Sequence, residues 1–389
     1  MKRNLIISLL ALLLVVLLPV GHGQADTEDP EFIYFRGVVM RVDQDESGSP
    51  LEEAGYESQA YFVDVRVTSG PHKGQTMNVY HLTSGTEAYD IFVEPGDKVL
   101  LQATADENGE LVDIYITSHV RDTGLYFAVG LFVLLVLLLG GKSGLKSLLG
   151  LAFTAGLIVF VYLPLLLQGK PPVQLAVAVS AIAVVVTMLI VAGVSKKTLA
   201  GILGTVGGVV VAGVLAVLFG RFSHLTGFAD HEAQMLLYIP QGINFDYQGL
   251  LFGGMVIGAL GAVMDVGMSI ASTLFEMRQL RPDLSPWQLF RSGMNIGRDI
   301  MGTMTNTLIL AYTGSSTSML LLFLAYDMPL EQIMNLDLIA TEMIRALTGS
   351  IGLVSAIPLT AAAAAWLCRL PAAQVRPAEP LPEDTPPLS

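Results

Sequence analysis

Two patterns of apolar and polar residues divide the chain. Between Phe32 and Ser118 apolar and polar residues alternate in short runs, and from Gly124 onward apolar residues come in long blocks. The blocks predict seven membrane-crossing helices, each close to the roughly 20 residues that span a hydrocarbon core: Gly124 to Gly140, Leu148 to Gln168, Val173 to Val194, Leu199 to Gly220, Gly249 to Phe275, Ile300 to Tyr326 and Thr348 to Cys368. The first is the shortest.

The alternating part predicts five strands, Phe32 to Val42, Ala60 to Thr68, Gln75 to His81, Lys98 to Thr104 and Glu110 to Ser118, rich in Val, Ile and Tyr. Turn-forming residues separate them at Glu46 to Pro50, Ser69-Gly70-Pro71, Glu94-Pro95-Gly96-Asp97 and Glu107-Asn108-Gly109. Five short strands in under a hundred residues suggest a small barrel of the OB type. The expected fold is therefore an all-α membrane bundle of about seven spans (124–368), preceded by a small β domain (26–122).

Met1 to Ala25 has a signal-peptide layout: Lys2 and Arg3, an apolar run from Leu5 to Leu18, then Pro19 and the small-residue site Gly23-Gln24-Ala25. It is either cleaved after Ala25 or retained as an anchor, and both outcomes export the β domain. The Pro-rich tail 369–389 reads as a disordered cytoplasmic end.

Composition agrees with a membrane protein, with 52% hydrophobic and 14% charged residues and a positive mean hydropathy. The acidity is local. Residues 26–122 hold 20 Asp plus Glu against 6 Lys plus Arg, a net of −14, while the whole chain carries −13. One acidic soluble face argues against nucleic acid or anionic lipid as its partner. With the β domain outside, the inner loops hold ten basic residues (Lys142, Lys146, Lys196, Lys197, Arg278, Arg281, Arg291, Arg298, Arg369, Arg376) and the outer loops three (Lys170, Arg221, Arg345), as the positive-inside rule requires.

Candidate chemistry lies where charged and amide side chains interrupt the fifth and sixth blocks, because lipid makes such residues costly and they mark ion or substrate paths. Asp265, Ser269, Ser272 and Glu276 stand at offsets of 4, 7 and 11, on one helix face over roughly 16 Å. Asn295, Asp299, Gly302, Asn306 and Thr313 repeat the pattern, with Arg298 and Thr303 beside them. Facing each other, the stripes would form a hydrophilic seam, while Gly253, Gly254, Gly258 and Gly261 permit close helix approach. Glu276, Asn295, Arg298 and Asp299 stand either in that seam or in the inner headgroup layer. Asp265 lies about ten residues inside its span, too deep for a short side chain to reach the interface.

These strings, with the Pro95-Gly96-Asp97-Lys98 turn and the leader, β domain and membrane region in that order, resemble the YibE/F family of multispan bacterial membrane proteins. The resemblance implies a multi-pass protein of the cytoplasmic membrane and no stated chemistry. A more local similarity is to the SecD and SecF export proteins of the RND superfamily. There an Asp-bearing span is followed by a short loop and a span opening on Arg-Thr; here Asp265 with Glu276, and Arg298 with Thr303, Thr305 and Thr307, look similar. That resemblance implies that Asp265 and Arg298 take part in proton-driven movement. Asp299, however, stands where Thr would follow the Arg, and the exported domain reads as OB-like rather than ferredoxin-like.

Enzyme motifs fail on inspection. Gly140-Gly141-Lys142-Ser143 resembles the end of a phosphate-binding loop, but Val136 occupies the first glycine position and no strand precedes it. His231-Glu232 begins a zinc-protease signature, yet Met235 stands where the second histidine belongs. His224, Asp230, His231 and Glu232 lack regular ligand spacing, and Glu342 and Arg345 read as a local ion pair at the headgroups. Cys368, the only cysteine, cannot pair within the chain. No enzyme, cofactor or metal is expected. Three classes remain: an ion-coupled transporter or permease of a small solute or ion; an accessory of protein or envelope export, its β domain engaging an envelope protein; and a membrane-anchored binding or sensing protein.

Overall fold

A computed structural model describes residues 32–45, 58–70, 72–86, 88, 90–105, 111–239 and 243–368. The expected leader, the tail 369–389 and the turns at 46–50 and 107–109 lie outside the described residues. The chain forms two compact units that part between Leu135 and Val136.

The first unit contains five strands, β1 (Phe32–Gln44), β2 (Gln59–Val67), β3 (Thr76–Thr83), β4 (Lys98–Ala105) and β5 (Leu111–His119). They form one antiparallel sheet in the order β3-β2-β1-β4-β5. Alternation works as the pattern predicts: Phe35, Val39, Val63, Val65, Val79, Val99 and Leu101 point inward and are almost fully buried, each contributing about 1.5–3 kcal/mol of apolar burial. Gly37 is required in β1 because a Cβ there would overlap Val65. In the Glu94 to Asp97 turn, Gly96 takes φ 101°, and the Glu94 N–H donates to the Asp97 carboxylate at 2.9 Å. The expectation of a closed OB barrel is corrected: the sheet is an open, curled half-barrel in which β3 and β5 are edge strands with no ladder between them among the described residues. Alternation decides which face is buried; closure depends on the register of edges remote in sequence.

The helical unit also departs from expectation. Among the described residues, five helices are long and apolar enough to cross a membrane, or six if one bent pair counts as a span, against an expectation of about seven. The first two expected spans fall within the 46-residue stretch Asp122–Leu167, which is two helices joined across a kink at Gly141; its parts are α1 (Asp122–Leu157), a π turn at Ile158–Tyr162, and α2 (Leu163–Leu167). Gly141 takes φ 50° and ψ −127°, and the turn is sharp enough that a Cβ on Gly144 would overlap the Val136 carbonyl. After α3 (Pro172–Ala192) and α4 (Lys196–Phe222), the short α5 (His231–Met235) lies in the connection to α6 (Tyr247–Leu280). Then α7 (Pro286–Ser315) and α8 (Thr317–Ala325) meet at 60°. The short α9 (Leu330–Met334) leads into α10 (Asp337–Leu367).

Caps define these helices locally. The Ser195 hydroxyl accepts the Thr198 N–H at the start of α4, and the Asp246 carboxylate accepts the Gly249 N–H at the start of α6. Before α7, Ser285 and Gln288 form a reciprocal capping box with Pro286 at the first position. The centre of the bundle is α4, α6 and α10, flanked by α3 and α7. Small residues set its spacing: a Cβ on Gly208 of α4 would lie 2.7 Å from the Gly352 carbonyl of α10 and 2.9 Å from Val263 of α6. Outward, Leu203, Val214 and Leu218 are about half exposed and suit contact with lipid.

Candidate functional site

One face of α6 carries Gly254, Gly258, Gly261, Asp265, Ser269, Ser272 and Glu276, spaced three or four apart. Gly254, Gly258, Gly261, Asp265 and Glu276 are exposed on the bundle, and Ser269 and Ser272 are half-buried. The opposite face is tightly packed, since a Cβ on Gly267 would overlap the Thr205 hydroxyl. Side chains at Gly254 and Gly261 would meet nothing within 4 Å, and one at Gly258 would come 3.3 Å from the Tyr312 hydroxyl of α7.

Two cavities open along this face. One, of ≈ 330 Å3, is lined by Asp230, Glu232, Tyr247, Gly254 and Arg345. The other, of ≈ 210 Å3, is lined by Thr187, Met188 and Ala192 of α3 with Gly261, Asp265 and Met268 of α6. The Asp265 carboxylate has no hydrogen bond or ion pair among the described residues. The cavity it lines is otherwise made of methionines, Val191, Ala192, Gly261 and a single threonine.

At the first cavity Arg345 pairs with Glu342 one turn earlier on α10 and reaches across to Asp230, 3.6 Å away. A second tie holds the same loop, the Thr226 hydroxyl donating to Asp337 at the start of α10. One Glu342 oxygen, Oε2, is buried without a hydrogen-bond partner among the described residues. The local Glu342–Arg345 pair follows from spacing, whereas the role of Asp230 escaped sequence reasoning: it lies 115 positions from Arg345, and no periodicity connects them. Among the described residues, no group of His, Cys, Asp and Glu could hold a metal ion.

The α7 residues lie elsewhere. Leu289, Gly293 and Gly297 are the buried face of α7, and a Cβ on Gly293 would press on Leu274 and Ala361. Asn295, Arg298, Asp299, Thr303, Asn306 and Thr313 are all exposed. Arg298 donates to Asn295 at 3.2 Å on its own helix, and the Thr303 hydroxyl donates to the Ile300 carbonyl at 3.0 Å. The structure thus brings Asp265 together with α3 and leaves the α7 polar residues on a face of their own, with no bond from Asp265 to Arg298 or Asp299. In the loop joining α6 and α7, Arg281 donates twice to Asp283, at 2.9 and 2.7 Å. This hydrogen bonding, with the guanidinium charge, pulls the Asp283 carboxyl down to about 2.

The family described as YibE/F-like protein matches residues 128–370, and the YibE/F family N-terminal domain matches residues 36–119. No curated protein and no solved structure matches the chain. The two family matches fall in chain order on the helical region and on the β-sheet, and the first covers more than half of the chain; this multispan membrane protein belongs to the YibE/F family.

Proposed function

We propose that the protein is an ion-coupled transporter or permease of a small solute or ion, with its path along the exposed face of α6. The observation that carries this reading is that two cavities open on one glycine-lined face of one membrane-length helix. Gly254 lines the first and Gly261 the second, seven residues or about 10 Å apart along the helix. Between them stands only Gly258, beside the Tyr312 hydroxyl. With the β domain outside, as the loop charges favour, the Arg345 cavity opens outward and Asp265 lies deeper.

Asp265 supplies the coupling. It is the charged side chain lining the second cavity, and a charge within a membrane span is costly and marks an ion or substrate path. Arg345, held by Asp230 and Glu342, sits at the outer cavity, where it meets whatever enters.

The test uses the purified full chain in lipid vesicles containing a pH-sensitive dye, with an imposed proton or sodium gradient. The wild type dissipates the gradient, and Asp265→Asn, which keeps shape and loses the charge, abolishes the flux while inserting normally. Full flux in that variant sinks the reading.

A further inference from the structure

Among the described residues, the exposed face of α7 has no partner in the bundle. Asn295, Arg298, Asp299, Gly302 and Asn306 are all exposed, and apart from the Arg298–Asn295 bond none of these side chains has a hydrogen bond or ion pair among the described residues. They lie on a helix that, with α8, makes one bent membrane-length pair. Lipid offers no donor or acceptor to such groups, so a face of this composition gains from being covered by protein.

We propose that a second copy of this chain covers it, α7 against α7, in a two-fold symmetric dimer. The argument is charge complementarity. On a helix, successive residues are about 100° apart, so Asn295, Gly302 and Asn306 form one line, with Arg298 flanking it on one side and Asp299 on the other. Copies inserted by the same loop charges share one orientation, so their α7 helices run parallel about an axis along the membrane normal. Equivalent residues then meet at equal depth. In a parallel two-fold pair the left flank of one helix faces the right flank of the other, as in the outer charge pairs of a parallel coiled coil. Arg298 of each copy therefore faces Asp299 of the other, and the interface carries two ion pairs with no net charge.

The central line is also self-complementary. A Cβ at Gly302 would meet nothing within 4 Å, so the backbones can approach there. Asn306 has an amide that donates and accepts, and it can pair with its own symmetry copy. The inference does not depend on transport: assembly is read by cross-linking and turnover by flux.

The experiment uses the full chain in native membranes. Cys368, the only cysteine, is replaced by Ser, and single cysteines are introduced as Gly302→Cys, Asn306→Cys and, on the lipid-facing side of α4, Leu203→Cys. Mild oxidation is expected to give a product of twice the monomer's mass at both α7 positions and none at Leu203. Adding Arg298→Asp to Gly302→Cys is expected to abolish the dimer, and the exchange Arg298→Asp with Asp299→Arg to restore it. Absence of dimer at both α7 positions overturns the proposal, as does equal dimer at Leu203 or a product whose mass reveals a different protein. Failure of the exchange to restore dimer overturns the charge register.

Discussion

Arg345 on α10 lies 3.6 Å from Asp230 in the loop after α4, and the same guanidinium binds Glu342 on its own helix. The Glu342 side chain is only 16% exposed, so Arg345→Met leaves a mostly buried carboxylate without its counter-charge. Losing one partner of such a pair costs about 1–3 kcal/mol. The melting temperature of the detergent-solubilised chain should fall in Arg345→Met and recover in part when Glu342→Gln is added. An unchanged melt in the single variant would show that the pair contributes nothing to stability.

Gly208 and Gly352 hold α4 and α10 close together in the centre of the bundle. A Cβ on Gly208 would stand 2.7 Å from the Gly352 carbonyl and 2.8 Å from Ala356; one on Gly352 would stand 2.7 Å from Ala212. Either alanine substitution forces α4 and α10 apart, and overpacking of this kind costs about 1–3 kcal/mol. Gly254→Ala, where a side chain meets nothing within 4 Å, should change stability by no more than about 0.5 kcal/mol. Parallel melts of the three variants check the contrast.

Much of the fold was legible because each element carries its own periodicity. Every expected strand from Phe32 to Ser118 coincides with an observed one to within two residues at each end, since alternation alone decides which side chains are buried. Helix starts were less legible. The sixth and seventh spans were expected at Ile300 and Thr348, yet α7 starts at Pro286 and α10 at Asp337, because polar residues on one face dilute the average apolarity of a stretch that is helical throughout. The Ser285–Gln288 capping box was the local signal for the earlier start. The end of the first expected span at Gly140 coincides with the kink at Gly141 where two helices meet, because two adjacent glycines leave the backbone free to break there. At the site, Asp265 stands out as a charge in an apolar run. Its neighbours Thr187 and Met188 on α3 do not, because nothing in a single sequence reports which helices are adjacent.

Asp90 predicts an acid limit for the β domain. Burial pushes its carboxyl up, but hydrogen bonds from Ser84, Thr86 and Gly85 outweigh this and hold it below the ordinary value; the Thr86 N–H donates at 2.8 Å. A carboxyl whose folded value is depressed stabilises the fold fully above its unfolded value, about 3.9. That contribution disappears as pH falls through the lower folded value. Hydrogen exchange in the segment 84–97 should accelerate over this acidic window. Asp90→Ala should bring the faster exchange to neutral pH and remove the acid step.

Gly261 separates a steric role from a structural one. It lines the ≈ 210 Å3 cavity beside Asp265, and a Cβ there would meet nothing within 4 Å. A leucine at this position has room for its Cβ, and the rest of the side chain extends into space that the proposed path uses. Gly261→Leu should insert and melt like the wild type while vesicle flux falls by about tenfold or more, equivalent to about 1.4 kcal/mol on the barrier. Leu203→Ala, on the lipid-facing side of α4, should leave flux unchanged. Undiminished flux in Gly261→Leu would place the path off this face of α6 while leaving the role of the Asp265 charge to be read from Asp265→Asn, so the two variants together distinguish a wrong route from a wrong mechanism.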